Sequence, residues 1–376
     1  MKLLFVISKF GGGGAEGVMC TLSNEFAERG HMVTLVSHFD NPVYVLNDKV
    51  NKIDYKTWQY DTSQGCLPVR LWKKIVNRFR DYSNLKRIIK EKQPDVVMSF
   101  LMWWLWQLIL LCKYRIPLVF CDRNAYVRPV GNTFLNKRVF FKMADVVQVM
   151  SHHDVAYLRN RYKKTVAMPN PLRFAPLSQE NYKNSFKNRR NIIACGRIEP
   201  QKGYDKLIQA FAIVAEQHPS WDVDIYGQGK PGSNYPQELQ ELVTKLNLSE
   251  RVRFMGYQKD LNTALKDHSI FCLSSAFEGF PNVLSEAMAM GCACVSFDIV
   301  TGPREIIVDG LDGMIVDDQD INALAEGLDL LMANEDVRYK FGLHAIENIK
   351  RFSKDRVVDK WEQVLEKLII DYKANK

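Results

Sequence analysis

Two carboxylates, Glu278 and Glu286, bracket the stretch Phe277-Glu278-Gly279-Phe280-Pro281-Asn282-Val283-Leu284-Ser285-Glu286-Ala287-Met288-Ala289-Met290-Gly291. Pro281 suits a first helical position, where its missing N–H is no loss, and Gly291 the position just past the end. Val283, Leu284, Ala287 and Met288 form an apolar stripe at helical spacing. The N–H groups of Asn282, Val283 and Leu284 would then open a helix N-terminus, which favours anions. A phosphate seated there would be flanked by Glu278 and Glu286, both able to accept hydrogen bonds from hydroxyls. One ligand with hydroxyls on both sides of a phosphate is a nucleotide sugar.

A second cluster supports phosphate chemistry. Arg197 and Lys202 share the loop Gly196-Arg197-Ile198-Glu199-Pro200-Gln201-Lys202-Gly203 before a helical pattern, a natural clamp for a diphosphate. There is no Walker pattern, so this is not a P-loop. Near the N-terminus, Gly12-Gly13-Gly14-Ala15-Glu16-Gly17 satisfies G-x-G-x-x-G, and Asp40 ends the next apolar run where a ribose-binding acid would sit. That pattern alone also admits a dinucleotide oxidoreductase, because any run of glycines satisfies much of it.

Residues 67–92 are basic and helical, with Arg70, Lys73, Lys74 and Arg78 interleaved with Leu71, Trp72, Ile75 and Phe79. Such a helix suits an anionic membrane surface. It equally suits a solvated helix whose Leu85, Ile88 and Ile89 pack inward. Asp122-Arg123-Asn124 follow a buried-type strand and would point into a ligand crevice. Asp222-Val223-Asp224 imitates a metal-binding D-x-D, but it lies within a strand pattern with no third ligand nearby. The histidines show no metal spacing, and His152-His153 read as a loop or helix start.

These groups need a scaffold. Residues 2–7 form a buried-type strand, 15–29 a helical pattern and 31–39 a second strand, the opening of a doubly wound sheet. Further strands fall at 118–121, 146–150 and 166–168. Residues 96–112 carry no charge and include Trp103, Trp104 and Trp106, yet they are short of the ~20 residues of a bilayer span. They read as a strand followed by a buried helix. The alternation restarts at residue 191, with strands at 191–195, 223–226, 252–255, 270–273 and 294–297. Every chemically marked loop follows a strand's carboxyl end. Three helical patterns close the chain, and the last, 353–372, carries a broad apolar face that includes Trp361 and Leu365.

Length and composition agree with two domains. The 376 residues carry 51 Lys and Arg against 43 Asp and Glu, a formal charge of +8. That excess suits phosphates, anionic membrane or nucleic acid without choosing among them. The eight cysteines form no C-x-x-C pair and read as reduced thiols of a cytosolic protein.

At residues 196–203 and 278–286 the chain resembles the retaining glycosyltransferases of family four. Glu278 and Glu286 match that family's E-x7-E motif. Thr301-Gly302-Pro303-Arg304-Glu305 resembles a loop of its bacterial members, and residues 11–16 its N-terminal glycine loop. The resemblance implies an α/β GT-B fold, two Rossmann-like doubly wound parallel-sheet domains facing a central cleft. An acceptor domain would span 1–175, a linker 176–190 and a donor domain 191–352, with 353–376 packing back on the first. It is closest to bacterial enzymes that extend polyprenyl-diphosphate-linked glycans with hexose or N-acetylhexosamine.

The family's roles then fall on matching residues. Arg197 and Lys202 would bind the diphosphate and stabilise the departing charge. Glu286 would hold the ribose and Glu278 the transferred sugar, helped by the backbone of Gly279, Phe280, Pro281, Asn282, Val283 and Leu284. Gly227, Met255 and Tyr257 would border the base, and Gly13 and Gly14 would approach the diphosphate. Asp122, Arg123 and Asn124 would meet the acceptor, and Arg70, Lys73, Lys74 and Arg78 the membrane. Many members carry a histidine where Asp122-Arg123-Asn124 stand, and Arg123 stays protonated, so it cannot serve as a base. The expected partners are a nucleotide sugar, UDP-linked, a polyprenyl-diphosphate glycan and the inner face of the cell membrane. No metal, cofactor or nucleic acid is expected. An epimerase on the same fold and a non-catalytic membrane-binding protein are the alternatives. Glu278→Ala is expected to abolish transfer with a modest loss of UDP binding.

Overall fold

A computed structural model describes residues 1–39, 43–55, 61, 66–100, 116–123, 141–142, 144–159, 161–162 and 164–374, the side chain of Arg78 excepted. Asp40, Trp103, Trp104, Trp106, Asn124 and the Arg78 side chain lie outside the described residues, as does the helix read after the strand near residue 96. The chain forms two compact units. Met1–Arg173 and Lys354–Lys376 make the first, and Phe174–Ser353 the second.

The first unit is built on strands β1 (Lys2–Ile7), β2 (Met32–Ser37), β3 (Asn51–Asp54), β4 (Val96–Phe100), β5 (Leu118–Cys121), β6 (Val146–Val149) and β7 (Thr165–Ala167). They lie in the order β3-β2-β1-β4-β5-β6-β7, and every pairing is parallel. The central strands are buried on both faces, which explains their unbroken apolar runs. Helix α1 (Gly14–Glu28) follows β1, α2 (Leu67–Lys92) follows β3 and α3 (His152–Leu158) follows β6. Ser151 caps α3, its Oγ accepting the Asp154 N–H at 3.0 Å. Strand β3 escaped the apolar-run reading because it is an edge strand whose first two residues are exposed.

The second unit holds β8 (Arg190–Cys195), β9 (Val223–Tyr226), β10 (Val252–Gly256), β11 (His268–Leu273), β12 (Ala293–Phe297) and β13 (Gly313–Val316) in the order β10-β9-β8-β11-β12-β13. Its described helices are α4 (Gln179–Phe186), α5 (Tyr204–Val214), α6 (Tyr235–Lys245), α7 (Leu261–Asp267), α8 (Asn282–Ala289), α9 (Pro303–Ile306), α10 (Ile321–Ala333) and α11 (Glu335–Asn348). The strand order reverses between β8 and β11, whose registers include Ile192 opposite Ile270. Loops leaving a sheet at such a switch point face a common crevice.

Two sequence expectations are corrected. Residues 176–190 are not a linker. Ser178 caps α4 by accepting the Asn181 N–H at 3.1 Å. Tyr182, 1% exposed, then stacks on Tyr339 with ring centroids 5.8 Å apart. Buried Arg189 donates from Nη1 to the Met290 carbonyl at 2.7 Å. The polar composition is the outer face of a short amphipathic helix, so the segment reads as a spacer only while its inward aromatics are overlooked. Helix α8 also starts one residue later than expected. Pro281 is its N-cap, and its carbonyl accepts the Leu284 N–H at 3.0 Å, so Leu284 leaves the set of anion-facing amides.

The final helix α12 (Lys354–Ala374) completes the core of the first unit. Trp361 is 1% exposed and shares that core with Phe5 and Phe26. At the helix surface, Arg29 Nη1 sits 2.6 Å from Asp359 and 2.8 Å from Glu362.

Candidate functional site

The switch point of the second unit assembles the most chemically loaded loops. After β8 the chain makes a 3-10 turn, Pro200–Lys202, and enters α5 through Gly203. Gly203 has φ +62, and a Cβ there would fall 2.2 Å from the Ser274 carbonyl oxygen, so only glycine lets the two loops touch. The contact is reinforced three times. Ser274 Oγ donates to the Lys202 carbonyl at 2.9 Å, the Ala276 N–H to the Gln201 carbonyl at 2.8 Å and Gln201 Nε2 to the Phe277 carbonyl at 2.9 Å.

This fixes the central pair. Lys202 Nζ lies 2.6 Å from Glu278 Oε1, with side chains only 14% and 12% exposed. The same oxygen accepts a hydrogen bond from Ser275 Oγ at 2.8 Å. Thr301 Oγ1 donates to the Glu278 backbone carbonyl at 2.5 Å, and Gly302 lies directly against Pro281. Glu286 is buried on α8, while the Phe280 side chain turns inward and meets Phe352 edge-on at 5.4 Å. Leu284 is likewise in the core and its N–H is taken by the Pro281 carbonyl, so of the two only Phe280 has backbone to offer a ligand.

Arg197 does not join this pair. It is exposed and sits 3.1 Å from Glu199, so the expected clamp is divided, with Lys202 on Glu278 and Arg197 on its own loop. Arg304 of the Thr-Gly-Pro-Arg-Glu loop is engaged with Asp298 through two bonds of 2.6 and 2.7 Å. At the carboxyl end of β9 the Gly227 N–H donates to the Gly256 carbonyl at 2.8 Å, and Met255 and Tyr257 beside it are exposed. Ser274, Ser275 and Gln201 were missed in the sequence. The signal available was a Ser-Ser pair leaving a buried strand immediately before the acidic loop.

In the first unit, Gly13 is the N-cap of α1 and Gly14 its first residue, with the Glu16 carboxylate folded back toward Gly13. Past β5, Asp122 is buried and Arg123 lies over the Phe100 ring at 4.7 Å. Arg123 Nη1 donates to Asn170 Oδ1 at 2.5 Å, while Nε and Nη2 are buried with no nitrogen or oxygen partner among the described residues. Burial pushes the guanidinium pKa down, against Cys121 and Asp122. Helix α2 divides along its length. Leu85, Ile88 and Ile89 are buried, whereas Leu67, Leu71, Trp72, Ile75 and Phe79 are exposed beside Arg70, Lys73 and Lys74. Among the described residues, no helix is long and apolar enough to cross a membrane.

The Asp222–Asp224 pair is committed to cations of its own sheet. Asp222 lies 3.0 Å from Arg251 and 3.2 Å from Arg253. Asp224 accepts from Arg253 at 2.6 Å and faces His268 Nε2 at 2.9 Å, while His268 Nδ1–H donates to the Ala264 carbonyl. Burial alone would raise the Asp224 carboxyl, yet His268 and Arg253 bring it from 3.8 to about 2. A depressed carboxylate stabilises the fold above its unfolded pKa, so this contribution is full above about pH 4 and fades as pH falls toward 2. Asp224→Asn is expected to cost about 2 kcal/mol at neutral pH. It should also flatten the stability curve between about pH 4 and 2, read by urea unfolding at each pH.

Comparison with known proteins agrees with this architecture. The family model "Glycosyltransferase Family 4" matches residues 12–172 and "Glycosyl transferases group 1" residues 178–348. The chain is 25% identical to a Campylobacter jejuni enzyme over 97% of this chain and 98% of the relative. That enzyme is named GalNAc-alpha-(1->4)-GalNAc-alpha-(1->3)-diNAcBac-PP-undecaprenol alpha-1,4-N-acetyl-D-galactosaminyltransferase. The chain is also 28% identical to the amylovoran biosynthesis glycosyltransferase AmsD of Erwinia amylovora, over 97% of this chain and 99% of that relative. Among solved structures, Anabaena HepE in complex with UDP superposes with a TM-score of 0.75 at 18% identity, covering 98% of this chain and 100% of that one. With both units matched in chain order and two parallel doubly wound sheets beneath them, the protein belongs to the family-four glycosyltransferases of GT-B fold.

Proposed function

We propose that the protein is a retaining, metal-independent glycosyltransferase. It moves a hexose or N-acetylhexosamine from a UDP sugar to a lipid-diphosphate-linked glycan. The observation that carries this reading is the Lys202–Glu278 pair at the β8/β11 switch point, beside the N-terminus of α8. Lys202 and Arg197 would take the diphosphate and stabilise the charge that leaves with it. Glu278 would accept hydrogen bonds from the transferred sugar's hydroxyls and Glu286 from the ribose. Gly227, Met255 and Tyr257 would border the base. The departing phosphate itself would take the acceptor's proton, which delivers the new bond on the face the old one leaves. Arg123, paired to Asn170, would hold an acceptor hydroxyl or phosphate. The names of the Campylobacter relatives, which include undecaprenol-diphosphate acceptors, support the acceptor class.

The experiment is transfer from UDP-GalNAc, UDP-GlcNAc and UDP-glucose to a polyprenyl-diphosphate glycan in the presence of EDTA. Product anomeric configuration is read by NMR. Turnover with retention supports the reading. A product of inverted configuration, or a requirement for metal, would overturn its mechanism, and interconversion of free UDP sugars would hand the protein to the epimerase reading.

The proposal places the enzyme at the inner face of the membrane through the first half of α2. Its exposed Trp72 and Phe79 would enter the interface while Arg70, Lys73, Lys74 and Arg78 meet lipid phosphates. Each basic residue near an anionic surface contributes about 1 kcal/mol. Changing all four to glutamine should therefore weaken binding to phosphatidylglycerol vesicles by about 100-fold or more in a sedimentation assay. Unchanged partitioning would remove the membrane role of this helix.

A further inference from the structure

We propose that Glu278 is held jointly by Lys202 and Ser275, and that the donor's diphosphate draws Lys202 away, leaving Ser275 as the positioning residue for the carboxylate. The inference rests on the nucleotide-sugar reading and adds to it an exchange of partners within the site. Glu278 Oε1 receives both groups, Lys202 Nζ at 2.6 Å and Ser275 Oγ at 2.8 Å. No described residue donates to Oε2. The pair is largely withdrawn from water, so its attraction is screened far less than that of a surface ion pair.

The surroundings decide which atoms can move. The Lys202 backbone is tied to the acidic loop through Ser274 Oγ, and its stem passes so close to Gly196 that a Cβ there would lie 2.8 Å from Lys202 Cε. Only the ammonium end is left to turn, and it carries three donors. A diphosphate outweighs a carboxylate in charge, so it is the stronger claimant on the ammonium. Lys202 therefore serves as a counter-ion that both anions claim.

Ser275 does not move with it. It is 1% exposed, at the end of a buried strand, and its carbonyl accepts Gln319 Nε2 at 3.4 Å. Thr301 fixes the Glu278 carbonyl from the other side. Once Lys202 turns, the Ser275 hydroxyl still orients Oε1, and the carboxylate faces the sugar with lone pairs to offer. This geometry reverses one expectation from the sequence. Removing the Glu278 charge should strengthen UDP binding, because Lys202 is released for the diphosphate.

A double-mutant cycle tests the exchange, with UDP binding measured by calorimetry on the full chain without metal. Glu278→Gln should tighten UDP binding about three- to tenfold, and in a Lys202→Ala background the same change should alter it by less than about twofold. Equal tightening in both backgrounds would mean plain repulsion between carboxylate and diphosphate, and would overturn the exchange, as would no tightening at all. For Ser275→Ala, UDP affinity should stay within about twofold while kcat falls about tenfold or more, and Ser275→Thr should restore it. A wild-type kcat in Ser275→Ala would remove the positioning role. Wild-type protein that binds none of UDP, GDP and ADP would instead overturn the nucleotide-sugar reading itself.

Discussion

Glu278→Ala is expected to lower sugar transfer by about 10³-fold or more, roughly 4 kcal/mol of barrier, in a protein that still folds. The carboxylate sits on a loop fixed by backbone contacts that its side chain does not make. Gln201 holds the Phe277 carbonyl and Thr301 the Glu278 carbonyl, so truncation leaves the loop path in place. Under the proposed function, what is lost is the acceptor of hydrogen bonds from the transferred sugar, an interaction that would matter most as the sugar parts from its diphosphate. The measurement is kcat at saturating donor and acceptor, with circular dichroism to verify folding. A fall of less than about tenfold would take Glu278 out of the transfer step. Glu286→Ala is the control. Its proposed role at the ribose predicts that most of its effect falls on the donor KM.

Trp361→Ala is expected to cost the first unit about 3–5 kcal/mol, as removal of a large buried aromatic does. The indole is 1% exposed among Phe5, Phe26, Val358 and Leu365, a core assembled from residues at opposite ends of the chain. Without it α12 keeps its ion pairs to Arg29, but partly exposed pairs contribute little beside a cavity of that size. Urea unfolding followed by hydrogen exchange should show amides of β1 and α1 losing protection, while those of β8 and β11 in the second unit keep theirs. Equal loss in both units, or none in the first, would contradict the assignment of α12 to the first core.

The strands of both sheets were largely legible in the sequence. A parallel strand buried on both faces must be an unbroken apolar run, and residues 3–7, 118–121 and 270–273 are such runs. The glycine turns and the acidic loop were legible for a similar reason, since a backbone that must pass another at close range leaves a glycine behind. Edge strand β3, with its exposed residues, carried no such mark. Neither did α4, whose two buried aromatics are outnumbered by polar neighbours.

By itself, then, the sequence marked the candidate residues, Glu278, Glu286, Lys202 and Arg197 among them, and showed that they follow the carboxyl ends of strands. Only the tertiary structure decided their partners. The switch in strand order between β8 and β11 brings Lys202 onto Glu278 across 76 positions of chain, adds Ser275 to the same oxygen and leaves Arg197 on Glu199. The physical reason is range. Burial periodicity and turn chemistry act between near neighbours and are written locally, whereas an ion pair depends on a distance of a few ångströms that the packing of the sheet alone sets.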